Sequence, residues 1–156
     1  MLSKSDQAIL NTKMNVASFT TQSGTKLHRT LNCVNARYDF SVHGGAVGTI
    51  NLDDEDGNNI VLPSGAIIWD GVIDILTGMT STGNNGTIAL DSNAAGDLKA
   101  AVDADTLSGR VATIPVGTAA ASIKLTADRT LTVTIATNPL LTGKFDLYLF
   151  YMFPQS

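Results

Sequence analysis

Side chains capable of chemistry are few in this sequence and stand in no recognisable catalytic arrangement. The only histidines are His28 and His43, and the only cysteine is Cys33. A cysteine nucleophile needs a histidine base, and neither histidine lies in such a motif, so a buried or unreactive thiol is expected. Residues 44–48 are glycine-rich but lack the lysine, the hydroxyl residue and the helix of a phosphate-binding loop. The sequence therefore predicts a protein that is not an enzyme, with no catalytic residues and no cofactor.

The densest group of potential metal ligands is the acidic run at residues 53–56, which precedes Gly57. Clustered carboxylates are the ligands that calcium prefers. When Gly57 is aligned with the invariant glycine of an EF-hand loop, however, Leu52 falls at the first ligand position and Pro63 at the last. We therefore predict a solvated turn between strands and assign no metal site, although the sequence leaves open whether this turn binds a cation.

Charge divides the chain into a basic N-terminal part and an acidic remainder. Residues 1–37 hold five basic side chains against one acidic, a net of +4, and residues 38–156 hold five against thirteen, a net of −8. A basic arm on an acidic body can lie on another acidic surface. The basic groups are too sparse, and too far from aromatic residues, to predict binding to nucleic acid. The candidate contact residues of this arm are Lys4, Lys13, Lys26 and Arg29.

Neither a secretory signal nor a membrane span is predicted. The N-terminus has no apolar signal region, and no run approaches the ~18 apolar residues of a membrane helix. We therefore expect a protein that is made in a cytoplasm and has no membrane partner.

The chain is long enough for one domain with an extension, since its 156 residues are 44% apolar and 15% charged. Residues 1–34 show no sustained period and predict an extended N-terminal arm, and residues 35–156 predict the domain. The strand candidates are 37–43, 47–52, 60–62, 66–76, 86–90, 110–114, 121–126, 129–136 and 144–153. One short helix is predicted over 97–107, with Asp97 as its N-cap.

About eight short strands separated by turn signals predict an all-β fold, an antiparallel β-sandwich of the jelly-roll type. An immunoglobulin-like sandwich is the weaker alternative because its Cys…Trp…Cys pattern is absent. We predict that strands 37–43 and 47–52 form a hairpin, because a three-residue loop at 44–46 places Phe40 opposite Ile50 on one face. The alternative places these two strands in different sheets of the sandwich.

Two segments carry more apolar residues than one small core requires. Residues 66–77 are rich in isoleucine and valine, and a bend or bulge at Asp70 and Gly71 would reconcile their pattern with a strand. In the last strand, the second face changes from polar to apolar along its length. The sequence therefore predicts that Trp69, Phe150 and Met152 contribute to an oligomer interface.

Three segments resemble the small virion structural proteins of tailed bacteriophages. They are YDFSVHGGAVGTINL at 38–52, AIIWDGVIDILT at 66–77 and LTGKFDLYLFY at 141–151. The resemblance implies a jelly-roll-like sandwich that is present in many copies on the virion, and most directly a head decoration (cement) protein. It also implies a homotrimer on the outer head surface, assembled in the bacterial host cytoplasm, whose N-terminal arm clamps the major capsid protein.

Two further classes of function stay open at this point. One is a tail or fibre component of the virion, and the other is a carbohydrate-binding β-sandwich module. The sequence does not decide between head and tail, and it fixes neither the number of subunits nor the host.

Overall fold

The computed structural model describes residues 31–153 and, before them, the backbone of two short strands. β1 (Phe19–Thr20) and β2 (Lys26–Leu27) pair antiparallel, with Phe19 opposite Leu27. The chain divides into two compact units, Met1–Leu31 and Asn32–Ser156. The first strand of the second unit begins at Asn32, so three residues that the sequence assigned to the arm belong to this strand.

The second unit is built from eleven described strands with short helical turns between them. In chain order the strands are β3 (Asn32–Asp39), β4 (Gly48–Asn51), β5 (Val61–Leu62), β6 (Ile67–Ser81), β7 (Thr87–Asp91), β8 (Lys99–Asp103), β9 (Arg110–Val116), β10 (Ile123–Lys124), β11 (Arg129–Thr130), β12 (Thr132–Ala136) and β13 (Leu140–Met152). The helical turns are α1 (Phe40–His43) and two 3₁₀ turns, η1 (Thr82–Asn84) and η2 (Ala104–Thr106).

These strands form two antiparallel sheets that enclose one core. The larger sheet has the order β3, β13, β6, and both β9 and β10 pair with the far edge of β6. The smaller sheet has the order β4, β12, β7, β8, and β5 pairs with β11 in a separate ladder. The predicted all-β antiparallel sandwich is therefore confirmed.

The core lies between the two sheets and follows from the alternation of apolar residues along their central strands. On β13, Phe145, Leu147 and Leu149 are fully buried, and on β12 Val133 and Ile135 face them from the other sheet. Burial of a side chain of this size contributes about 1.5–3 kcal/mol to folding. On β12 and β13, the residues that the sequence predicted to face inward are the ones that face the core.

A β-bulge interrupts β6 where the sequence predicted one. Asp70 pairs with Phe150 on β13, but Ile68 pairs with Tyr151, so Trp69 has no partner of its own. Gly71 follows the bulge and faces inward, where an added Cβ would lie 2.6 Å from Leu149 Cδ2. Only glycine allows β6 and β13 to approach this closely at that point.

The predicted hairpin between residues 37–43 and 47–52 is wrong, and the alternative with two sheets is correct. β3 pairs with β13 in the larger sheet, whereas β4 pairs with β12 in the smaller one. Between them the chain closes into α1, because the Asp39 carboxylate accepts the backbone N–H of Ser41 and caps the turn. Gly44, with φ of 70°, ends the turn and directs the chain across to the other sheet.

The predicted helix at 97–107 is present only as the single turn η2, and the residues before that turn form β8. These residues extend because β7 offers a free edge with which β8 pairs. Strand pairing of this kind overrides helix propensity. The Asp97 carboxylate caps the preceding turn instead, and accepts hydrogen bonds from the backbone N–H groups of Ser92, Asn93 and Ala94.

The acidic run forms the solvated turn that the sequence predicted. Asp54 accepts hydrogen bonds from the backbone N–H groups of Asp56 and Asn58, which lowers the pKa of its carboxyl group. In the part of the chain that the structure describes, no group of three or more acidic, histidine or cysteine side chains could hold a metal ion. The same residues include no helix that is long and apolar enough to cross a membrane.

Candidate assembly interface

The outer face of the larger sheet is the surface that departs most from an ordinary solvent-facing sheet. Because side chains alternate along a strand, the residues of β13 that point away from the core are Asp146, Tyr148, Phe150 and Met152. The register of the sheet places the neighbouring strands' outward side chains beside them. The cross-strand neighbours of Asp146 are Arg37 and Asp74, those of Tyr148 are Asn35 and Val72, and those of Phe150 are Cys33 and Asp70.

One half of this face is polar and is held by a partly buried ion pair. Arg37 donates two hydrogen bonds to Asp146, from Nε to Oδ1 at 2.7 Å and from Nη2 to Oδ2 at 2.9 Å. Asp146 is only 3% exposed, and this paired geometry is the strongest form of an arginine–carboxylate contact. The negative charge of Asp146 raises the pKa of Tyr148, whose hydroxyl group lies 3.5 Å from Oδ2. The pair therefore links the edge strand β3 to β13.

The other half of the face is apolar. Phe150 and Met152 lie two residues apart on β13 and are half-buried. On β6, Val72 is half-buried beside Tyr148, and on β9, Val116 is 49% exposed beside Asp70. Asp70 lies between Phe150 and Val116, so the apolar side chains are not continuous across the strands. Several exposed or half-buried apolar side chains on one outer face are nevertheless typical of a surface that another protein covers. Val72 and Val116 are the contributors that the sequence reasoning missed, although their alternation with Gly71 and Pro115 marks them as outward.

Trp69 lies at the edge of this apolar half because of the bulge. Ile68 is fully buried and Gly71 faces Leu149, so the two residues between them, Trp69 and Asp70, both turn outward. The backbone N–H of Gly117 donates to the Trp69 carbonyl at 2.8 Å, which holds the bulge against the chain that follows β9. The structure thus brings the three predicted interface residues onto one face.

Cys33 also lies on this face, and of the two alternatives predicted for its thiol, buried or unreactive, the structure contradicts the first. It is exposed, because it occupies an outward position of the edge strand β3 opposite Phe150. Partial burial by its neighbours nevertheless raises the pKa of the thiol, which lowers the fraction of reactive thiolate.

The four predicted arm residues cannot be placed on a surface. Lys4, Lys13 and Arg29 lie outside the described residues, and for Lys26 the backbone position in β2 is described without its side chain. The arm contact therefore stays a prediction.

His43, the one described histidine, has a structural role. Its Nε2 lies 3.0 Å from Asp53 Oδ2, and its Nδ1 accepts the backbone N–H of Asp39 at 3.0 Å. The hydroxyl group of Ser41 donates to Asp39 and not to the imidazole. Both ring nitrogens are thus engaged in holding α1, and the imidazole is not set beside the serine as a base.

No protein-family model matches this sequence, and no curated protein matches it. Chains in three solved phage capsids share its fold. A chain in the acidic stable capsid structure of Helicobacter pylori bacteriophage KHP30 aligns with a TM-score of 0.58 and 13% identity, over 84% of this chain and 94% of that chain. A chain in the capsid of Ralstonia phage GP4 aligns with a TM-score of 0.54 and 22% identity, over 80% of this chain and 86% of that one.

A chain in the cyanophage Pam1 capsid asymmetric unit gives a TM-score of 0.56 and 16% identity, over 88% of this chain and 95% of that chain. In each case the likeness extends over most of both chains, so it concerns the whole fold and not one motif. At these identities the likeness is one of fold. The resemblance to phage virion proteins that the sequence predicted is confirmed at that level.

Proposed function

We propose that this chain is a structural protein of a bacteriophage virion, and more narrowly a decoration (cement) protein of the head. The single observation that carries the proposal is the shared fold with chains of three phage capsids, which spans 86–95% of their length. The half-apolar outer face of the larger sheet supports it, since a protein present in many copies has partners that can cover such a face.

The outer face of the larger sheet is, on this proposal, where copies of the chain associate. Trp69, Phe150 and Met152 contribute to the contact, with Trp69 at its edge, and a trimer is the oligomer that the sequence resemblance implies. Copies of one chain form closed symmetric assemblies, so the same patch recurs in every subunit.

The N-terminal arm attaches the oligomer to the shell. Residues 1–30 carry four basic side chains and one acidic, a net of +3, whereas residues 31–156 carry six basic and thirteen acidic, a net of −7. Several arms on one oligomer bind together, which multiplies weak contacts into strong attachment. A protein that binds the assembled shell and not its free subunits stabilises the shell by mass action.

The copy number of the protein in purified particles tests this function. A head decoration protein is expected in hundreds of copies, at a fixed ratio to the major capsid protein, as measured by quantitative mass spectrometry of the particle. A few copies per particle would instead place the protein in the tail or a fibre. Its complete absence from particles would refute the proposal.

A deletion tests the arm. Removing residues 1–30 leaves all of β3 in place, whereas a cut at residue 34 would remove three residues that pair with β13. We expect the shortened protein to keep the thermal unfolding transition of the full chain and to lose co-sedimentation with particles. A shortened protein that still sediments with particles would contradict the role of the arm.

A further inference from the structure

The loop from α1 to β4, residues 40–47, exposes two valines on the sandwich. Val42 is 74% exposed, the highest value among the large apolar side chains that the structure describes as exposed, and Val47 is 56% exposed. A single exposed apolar side chain is ordinary on a protein surface. Two exposed valines on one short loop are less ordinary, and we call residues 40–47 the valine loop.

The valine loop is held rigidly, although it is exposed. The Tyr38 hydroxyl donates to the Gly44 carbonyl at 2.8 Å, and the Leu140 N–H donates to the Gly45 carbonyl at 2.8 Å. Lys144 pairs with Asp39 at 2.7 Å at the start of the loop. Gly45 packs so closely that an added Cβ would overlap the Leu140 carbonyl. A surface ordered in advance loses little conformational entropy when it binds, so its apolar contacts yield more affinity.

Acidic side chains lie beside the valine loop. The contact of His43 with Asp53 joins the loop to the turn that follows β4. That turn exposes Glu55 and Asp56, and no ion pair engages either of them within residues 31–153. The valine loop is therefore an ordered, exposed apolar surface that is joined through His43 and Asp53 to an acidic turn.

We propose that the valine loop is a docking surface for a protein that offers an apolar socket bordered by lysine or arginine side chains. The inference rests on the proposed function, in which that partner is the major capsid protein. It adds a contact made by the folded body to the contact made by the arm. A second copy is a poorer match for this surface because residues 31–156 carry six basic side chains against thirteen acidic, and the turn beside the loop is itself acidic.

The test is binding of the full-length protein to purified particles from which it has been stripped, measured by co-sedimentation over a range of concentrations. Val42→Asp places a charge in the apolar socket, and we expect the half-saturating concentration to rise about tenfold or more. The matched control is Val61→Asp, a 53% exposed valine on β5, which should bind like the wild type. Val42→Ser serves as a second variant if the aspartate disturbs folding, as judged by thermal unfolding.

The charged border has its own pair of variants. Glu55→Lys should weaken binding more than Glu55→Gln, and the difference should shrink as salt rises, because the attraction between exposed charges is screened. Equal binding of the two Glu55 variants would overturn the choice of a basic partner.

The possible outcomes separate the two proposals. If the wild type fails to bind particles, the proposed function is refuted. If the wild type binds and Val42→Asp binds equally well, the docking surface alone is refuted. If Val42→Asp instead lowers the oligomer mass in sedimentation without changing particle binding, the occupant is a second copy, and the partner named here is wrong.

Discussion

The outer faces of the two sheets differ although both are built from alternating strands. On the smaller sheet, Thr134 of β12 lies between Thr49 and Ala89, and its hydroxyl group lies 3.1 Å from the Thr49 hydroxyl. The same hydroxyl donates to Asp91 at 2.8 Å. On the larger sheet, the corresponding central strand β13 presents Phe150 and Met152 instead.

On the proposed function, this difference marks the outer face of the larger sheet as the one that a partner covers. An antiparallel sheet normally buries one face and turns a polar face to water, and the threonine-rich face follows that rule. The larger sheet follows it only as far as Asp146 and Tyr148, after which its outward residues become apolar. Folding of one subunit does not require this change, whereas the proposed association of subunits would.

The largest expected effect comes from Phe150→Ser, which removes an aromatic side chain from the centre of the apolar half. A central interface aromatic contributes about 2–4 kcal/mol to association, so the dissociation constant of the oligomer should rise on the order of 100-fold. Sedimentation velocity over a dilution series measures this change. Thr49→Ser on the opposite face is the matched control and should leave the constant unchanged.

The single cysteine gives a second measure of association at the outer face of the larger sheet. Cys33 is exposed opposite Phe150, so oligomerisation should protect it from a maleimide, and dilution or Phe150→Ser should speed its labelling. Labelling at one rate at every concentration, together with an unchanged oligomer mass in Phe150→Ser, would show that this face is not the interface.

The next effect concerns the bulge that turns Trp69 and Asp70 outward. Gly71→Ala would force a methyl group against Leu149 and Thr113 and should lower the free energy of unfolding by about 1–3 kcal/mol. Gly78→Ala, in the same strand, has nothing within 4 Å of the added Cβ and is the control. Chemical denaturation measures both. Equal stability of the two variants would mean that β6 can shift at Gly71 to accommodate a methyl group, and that close packing does not hold the bulge.

These elements show how far the sequence predicts the fold and the candidate site. The alternation of apolar and polar residues identified both faces of β12 and β13, including the change from polar to apolar at Phe150. Such alternation can be recognised within a single strand, without knowledge of its neighbours. It failed for residues 37–52, since a hairpin and a crossing between sheets bury the same face. It also failed at 97–107, where the free edge of β7 decided the structure, and such an edge is visible only once the strands are arranged.

The candidate site was predictable in three of its apolar members but not in Val72, Val116 or its polar half. Trp69, Phe150 and Met152 stand out as apolar residues at outward positions. The pairing of Arg37 with Asp146 joins residues 109 apart in sequence, and nothing local marks either one as a partner of the other. The exposure of Cys33 was missed for another reason, because residues 32–34 were assigned to the arm and the alternation of β3 was not extended back to them.

A smaller effect is expected in the polar half of the larger sheet. Asp146→Asn removes the charge that receives two hydrogen bonds from Arg37 and should cost about 1–2 kcal/mol of stability. Asp74→Asn is the control, because its partner Arg110 is 81% exposed at 3.9 Å, and an exposed pair contributes about 0–1 kcal/mol. Denaturant titration of the two variants gives the comparison. Equal losses would show that burial of Asp146 does not strengthen its pair.

The last prediction concerns the pKa values of two tyrosines on opposite faces of the larger sheet. Its effect on stability is the smallest at neutral pH, because tyrosine hydroxyls are protonated there. Tyr38, fully buried between His43 and Phe145, has its pKa raised by burial from 10.0 to about 12. Tyr148, on the outer face, has its pKa raised chiefly by the charge of Asp146. Salt screens the charge but not the burial, so added salt should lower the pKa of Tyr148 and leave that of Tyr38.

Tyrosinate absorbance against pH, in the wild type and in Tyr38→Phe and Tyr148→Phe, separates the two groups. Because the unfolded chain loses the Tyr38 proton near its ordinary pKa and the folded chain only near 12, stability should fall as pH rises through this window. Tyr38→Phe should remove that part of the alkaline loss, whereas Tyr148→Phe should keep it. If the two tyrosines had the same pKa and responded equally to salt, burial would not set the pKa of Tyr38 and the charge of Asp146 would not set that of Tyr148.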